Sequence, residues 1–200
     1  MILPRRRSVA GYTVIEVMMA LAVLSVGATG IIAMQKAALI GNTRARDLAT
    51  ANAIAAAWVD RLRLDAQRWQ ILDNGTNSIL QTVYLREVGD DYPSITGNEN
   101  LWIIPPAVGL YNPAADVHGA DTATLAEQGF CTHIRLLQVL PNLIRADVRV
   151  FWLRNGGLGT INGQPLCADD AGYVAGVSQP EADRRYHFVQ VTSGILRTDD

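Results

Sequence analysis

One ionisable side chain stands in a run of 23 residues otherwise suited to hydrocarbon. From Tyr12 to Met34 the sole formal charge is Glu16, and Thr13, Ser25 and Thr29 are the other clearly polar side chains. A carboxylate inside a membrane helix costs about 2.5–3.5 kcal/mol at the centre and less near the edge, so such groups are usually functional and need a partner. Just ahead lie Arg5, Arg6 and Arg7, then Gly11. Elsewhere the reactive residue types are scattered. Cys131 and Cys167 flank two strand-like segments, and a disulfide between them is permitted in an oxidising compartment. Two independent thiols are the alternative, because sequence alone does not place their Cα atoms within bridging distance. Cys131-Thr-His133 resembles a fragment of a metal site but lacks a second cluster. His118 and His187 have no companion at ligand spacing. Asp90-Asp91 and Asp169-Asp170 offer oxygens for Ca²⁺, yet nothing else in either stretch resembles a calcium loop, and they read as solvated turns. Asn155-Gly-Gly-Leu-Gly159 follows a strand with no helix after it, which makes it a loop and not a phosphate cradle. No serine has a nucleophile-elbow context. No enzymatic activity, metal or cofactor is expected.

Composition narrows the classes further. Of 200 residues, 49% are hydrophobic and 18% charged, so the chain has enough apolar content to fold. Seventeen basic against 19 acidic residues give a net charge of −2, unlike a strongly basic nucleic-acid binder. Two cysteines are too few for a disulfide scaffold or a four-thiolate zinc site.

The elements that must position Glu16 follow from the hydropathy pattern. As a helix, residues 12–34 would span about 34 Å, enough for a hydrocarbon core of about 30 Å. Three arginines precede the run and only Lys36 follows closely, so the positive-inside bias puts the N-terminus in the cytoplasm and the remainder outside. A cleaved secretory signal has an apolar region of about 7–15 residues, shorter than this one. Neither such a signal nor a plain anchor accounts for Glu16. Between Gln35 and Gln70 there is no proline, one glycine (Gly41) and abundant alanine, the best helix former. Leu48, Ala51, Ala55, Trp58 and Leu62 step by three and four and mark one apolar face. The spacing predicts a single helix, apolar all round over 12–34 and amphipathic over 35–73, ending at the Asp73-Asn74-Gly75 turn. Gly27 and Gly30 weaken it locally.

Residues 74–200 read as a compact β-sheet head. Leu80–Val88 is a candidate strand, Leu101–Ile104 a short apolar piece stopped by Pro105-Pro106, and 107–129 a surface excursion. Thr132–Leu140 and Ile144–Leu153 are the clearest strands, joined at Pro141-Asn142. In the second, Ile144, Ala146, Val148, Val150 and Trp152 alternate with Arg145, Asp147, Arg149 and Phe151, the pattern of a half-buried antiparallel strand. His187–Val191, with Tyr186 before it, is the last strand. Trp58, Trp69 and Trp152 are expected to join helix to sheet, and Trp102 to enter the core. The expected fold class is α+β, a long helix covering one face of an antiparallel meander.

Gly11-Tyr12-Thr13-Val14-Ile15-Glu16-Val17-Met18-Met19-Ala20-Leu21-Ala22-Val23-Leu24, behind a basic leader, resembles the class III signal of type IV prepilins and type II secretion pseudopilins. Tyr12 stands where Phe is commonest in that family. The resemblance implies the type IV pilin fold. It implies that residues 1–11 are a leader removed by a membrane-embedded prepilin peptidase, which cuts after Gly11 and N-methylates Tyr12. It implies that Glu16 pairs with the terminal amine of a neighbouring subunit during assembly. Cleavage would leave 14 basic and 19 acidic side chains. Size and the Arg145–Trp152 strand are similar to PilV-type minor pilins. That likeness implies an inner-membrane subunit with a periplasmic head, then a place on the surface pilus. Its implied partners are other minor and major pilins, the inner-membrane assembly platform and a PilY-type tip adhesin. A minor pseudopilin of the I type is the nearest alternative. A DNA-uptake minor pilin, for which Arg145, Arg149 and Arg154 are the candidate contacts, is the third.

Overall fold

The computed structural model describes residues 11–69, 78–88, 101–154, 160–161, 164–167 and 185–197. Helix α1 runs without interruption from Val14 to Ala66, which at 1.5 Å per residue is about 80 Å. The chain divides into two compact units, residues 1–45 and 46–200.

In the first unit the described helical residues are solvent-facing on every side. The hydroxyls of this stretch satisfy themselves locally: Ser25 donates to the Leu21 carbonyl at 2.8 Å, Thr29 to Val26 at 2.8 Å and Thr43 to Leu39 at 3.0 Å. Such back-bonding hides a polar hydrogen from an apolar surround.

In the second unit, residues 46–66 of α1 pack on a four-stranded antiparallel sheet of order β1-β2-β3-β6. Its strands are β1 (Ala114–Ala115), β2 (Phe130–Leu140), β3 (Leu143–Leu153) and β6 (Tyr186–Leu196). A two-residue ladder joins β4 (Thr160–Ile161) to β5 (Gln164–Pro165). Pro141-Asn142 turns β2 into β3, with Leu140 opposite Leu143. Ala51, Ile54, Ala55, Trp58, Val59, Leu62 and Ala66 form the buried helix stripe. They meet Ile134 and Leu136 of β2, Ile144, Ala146, Val148, Val150 and Trp152 of β3, and Ile195 of β6. Each large apolar side chain so buried stabilises by about 1.5–3 kcal/mol relative to exposure. Leu48, expected on the same stripe, is exposed, because the sheet covers the helix only from Ala51 onward.

Four expectations are corrected. The helix ends at Ala66, before the Asp73-Asn74-Gly75 turn, which lies outside the described residues. Residues 80–88 are not a strand: 3₁₀ turns occupy Ser78–Gln81 and Leu85–Val88. The second change traces to Asp65. Its buried carboxylate accepts the N–H groups of Val83 at 2.8 Å, Tyr84 at 2.7 Å and Leu85 at 3.1 Å. Three consecutive N–H groups that converge on one carboxylate cannot alternate as a strand requires. Trp58 packs edge-on against Tyr84 at 5.5 Å and fixes the same segment from the helix side. Third, the 107–129 excursion carries an edge strand: Ala114 pairs with Cys131 and Ala115 with Phe130. Fourth, β3 is buried on both faces, not one, since Asp147, Arg149 and Phe151 are buried as well.

Asp65→Ala leaves these three N–H groups without their acceptor in a buried setting. Hydrogen bonds to charged groups contribute about 1.5–3 kcal/mol each, and the bonds here share one site, so a loss of about 3 kcal/mol or more is expected. A chemical-denaturation midpoint of the head signal lowered by less than the equivalent of about 1 kcal/mol would contradict this role.

Candidate functional site

Gly11, Tyr12 and Thr13 are non-helical, and α1 starts at Val14. The Thr13 carbonyl accepts from the N–H of Glu16 at 3.1 Å and of Val17 at 3.3 Å, closing the first turn. Glu16 therefore sits where the helix dipole favours a negative charge. Tyr12 is 83% exposed, and Glu16 is exposed one helical turn behind it. Among the described residues Glu16 makes no ion pair. The next cation along the helix, Lys36, is 20 residues on, about 30 Å away. Geometry thus presents a carboxylate on an apolar, solvent-facing rod, with no countercharge within reach among the described residues. The most apolar stretch of α1 is long enough to cross a membrane, and none of it is buried within the chain.

A family model for the prokaryotic N-terminal methylation motif matches residues 6–32. The chain carries a prokaryotic N-terminal methylation motif. The match takes in Gly11, Tyr12 and Glu16 together with the apolar run as far as Ile32, and it ends before the head begins. No curated protein and no solved structure matches the chain.

In the head, Cys131 and Cys167 are joined as a disulfide with their Cα atoms 5.2 Å apart. Cys131, Phe151, Leu166 and Tyr186 form a second small core around it, on the sheet face away from the helix. The bond ties the turn after β5 to β2. A closed loop of this size restricts the unfolded chain and stabilises by roughly 3–4 kcal/mol in the chain-entropy account.

The remaining candidates are placed as follows. Asp147 is the hub of the outer face of β3. It takes two bonds from Arg135, at 3.0 and 2.7 Å, one from Arg145 at 3.2 Å and one from Thr192 at 2.6 Å. Burial alone would raise its pKa, but the Thr192 hydroxyl and the two guanidinium groups outweigh it and hold the carboxyl below its usual range. Arg149 is buried, donates to His133 Nδ1 at 2.9 Å and lies 4.3 Å from the Trp102 ring. Trp102 is half-buried on this face, against Arg135 and Arg149, rather than in the helix-side core. Arg154 donates to the Tyr186 carbonyl at 3.4 Å. Arg145, Arg149 and Arg154 are thus engaged within the head and do not form an open basic strip.

His118 meets Arg46 at 3.3 Å, and His187 packs on Trp152 at 5.5 Å. Among the described residues no three His, Cys, Asp or Glu side chains cluster as metal ligands. Asp90-Asp91, Asp169-Asp170 and the 155–159 loop lie outside the described residues. Trp58, Trp69 and Trp152 are buried. Sequence reasoning missed Asp65, Asp147 and Arg61. The lone acid among the arginines of β3 was the available signal for Asp147.

Burial, with repulsion from Arg149, pushes the His133 pKa down to about 3. In the unfolded chain it titrates near about 6.5. The unfolded state therefore binds more protons between these values, and stability falls as pH drops from about 6.5 toward 3. Below its ordinary range Asp147 adds to the loss, because its paired carboxylate must be protonated. His133→Phe should lower stability at pH 7 yet flatten the slope between pH 6.5 and 4. An unchanged slope, followed by near-ultraviolet dichroism of the unfolding transition, would assign the pH dependence elsewhere.

Proposed function

We propose that this chain is a structural subunit of a type IV pilin-like filament, cleaved after Gly11 and methylated on Tyr12. The observation that carries the reading is Glu16, a carboxylate five residues past Gly11 on an exposed apolar helix, with no ion pair among the described residues. Cleavage would remove Arg5, Arg6 and Arg7 and create an amine next to that helix. In a filament core of low dielectric, this amine and the Glu16 carboxylate of an adjacent subunit attract far more strongly than in water, and an orphaned charge is costly. Glu16 then sets register. The finer assignment is a minor pilin that primes assembly from the inner membrane and joins a tip complex with other pilins and a PilY-type adhesin, in adhesion or motility. A presenting role is supported by the engagement of Asp147, Arg149 and His133, among the described residues, in contacts within the head. The second reading is a minor pseudopilin of a secretion system, which the same N-terminal motif supports equally.

Shearing cells and probing the filament fraction separates the two readings from a plain anchor. A pilus subunit is recovered with sheared pili, together with the tip adhesin. A pseudopilin stays with the envelope, and its deletion blocks secretion of a folded exoprotein. Neither outcome in cells with both machineries intact would refute the assembly role.

A further inference from the structure

Among the described residues the sheet has one covered edge and one open edge. On the β2 side, β1 pairs at Ala114 and Ala115, and Ile103 exchanges backbone hydrogen bonds of 2.8 and 2.9 Å with Ile134. On the far side, β6 ends the order β1-β2-β3-β6. It pairs with β3 at every residue from Tyr186 to Leu196, with no shift of register. An antiparallel ladder uses the N–H and C=O of alternate residues on one strand, and the residues between them point the other way. The bonds just beyond the two ends fix the alternation. The Arg154 N–H donates to the Arg185 carbonyl at 3.0 Å, and the Arg197 N–H to the Asn142 carbonyl at 2.9 Å. Val189, Val191, Ser193 and Ile195 therefore bond to β3. Phe188, Gln190, Thr192, Gly194 and Leu196 turn their N–H groups outward, where they meet no acceptor among the described residues.

A long bare edge is a template for another strand, and proteins usually blunt it with a charge, a proline or a bulge. None of these occurs in β6. Tyr186 to Leu196 contains no Asp, Glu, Lys, Arg or Pro, and the register with β3 is unbroken. The core is also unfinished along this edge. Val189 and Val191 pack against the helix-side core yet are only half-buried, whereas their β3 partners Val150 and Val148 are fully buried. On the other face Phe188 is 52% and Leu196 64% exposed.

These groups define the occupant. A straight row of outward N–H and C=O groups is met by an extended backbone, and the half-buried valines are met by apolar side chains at alternate positions of that backbone. Antiparallel pairing with β6 of a second copy does not fit. Its two-fold axis stands perpendicular to the sheet and reverses α1 in one copy relative to the other, so one membrane could not receive the apolar end of both. We propose that β6 accepts a strand donated by a different protein, an uncharged extended segment with apolar residues at alternate positions. The inference concerns the head alone and does not rest on processing at Gly11.

The test uses the full chain in detergent micelles, with amide hydrogen exchange read residue by residue. In the free protein the N–H groups of Phe188, Gln190, Thr192 and Gly194 should exchange about tenfold or more faster than those of Val189, Val191 and Ser193. The probe is a synthetic peptide of the length of β6, alternating Val and Thr. It is N-methylated at every second residue, so that it offers one hydrogen-bonding edge and cannot stack into fibrils. It should slow the four outward amides about tenfold or more and leave the others unchanged. A twin methylated at every residue should have no effect. Gln190→Pro removes an outward N–H that β3 does not use, a change that an edge strand tolerates. It should abolish the response while Val189 and Val191 stay protected. Should that variant unfold, Phe188→Lys keeps the backbone, places a charge on the edge and should weaken the response. In cells, a photo-reactive residue at position 190 should cross-link to a segment of a different protein, and that segment, made as a peptide, should protect the same four amides. Slow exchange of those amides in the free chain would overturn the proposal. So would equal protection by the methylated twin, a cross-linked segment that fails to protect, or cross-links confined to lipid or to a second copy. The mature N-terminus, read in the same cells, keeps a failure of processing distinct from a failure of this contact.

Discussion

Replacing Glu16 with alanine is expected to leave the chain in the membrane at the wild-type amount and to remove it from sheared filaments. Membrane insertion does not suffer, because the substitution takes a charge out of an apolar segment and lowers the cost of burying it. On the proposed pairing, assembly should suffer because the terminal amine of the adjacent subunit would be left without its countercharge. Breaking one side of a buried pair costs about 3–5 kcal/mol, which is a loss of about 10²- to 4 × 10³-fold in association. Glu16→Gln should lose almost as much, since shape is kept and charge is not. Glu16→Asp, with the charge retained on a shorter arm, should recover part of it. Quantifying each variant in the filament and membrane fractions of the same cells is decisive, and equal recovery of Glu16→Ala and wild type in the filaments would refute the register role.

The second large effect falls on Gly11. A bulky residue there, such as Gly11→Leu, should leave full-length precursor, because a peptidase acting at the membrane surface needs the backbone accessible at the scissile bond. Gly11 is exposed, with open space where a Cβ would stand, so the substitution has no cost to the fold. The precursor keeps Arg5, Arg6 and Arg7 and lacks an amine at Tyr12, so it should also be missing from filaments. Immunoblotting for precursor and mature forms checks this, and normal processing of the variant would contradict the proposed cleavage site.

The parts of the fold that were legible share a cause. Period is a local property, and the helix stripe from Ala51 to Leu62 and the alternation of Ile144 to Trp152 reflect burial against one extended surface. Strand β3 lies where alternation placed it, β2 and β6 lie on the other two expected strands, and each is longer than expected by one to several residues. What escaped is non-local. Leu80–Val88 has the composition of a strand, yet the carboxylate of Asp65, 18 to 20 residues away, captures its N–H groups. The buried polar face of β3 escaped because Asp147 and Arg149 resemble a solvated face. They become an interior only when Arg135, Thr192, His133 and Trp102 converge on them from elsewhere in the chain. The candidate site is proposed on local signal alone. Gly11, Tyr12 and Glu16 lie within six residues of one another, and a matched motif covers them all.

Mass spectrometry of the N-terminal peptide, from protein isolated out of cells that hold the processing enzyme, reaches the central claim most directly. The account predicts a peptide that begins at Tyr12 and is heavier by one methyl group on its amine. A peptide that begins at Met1, with Gly11 still joined to an unmethylated Tyr12, would contradict it.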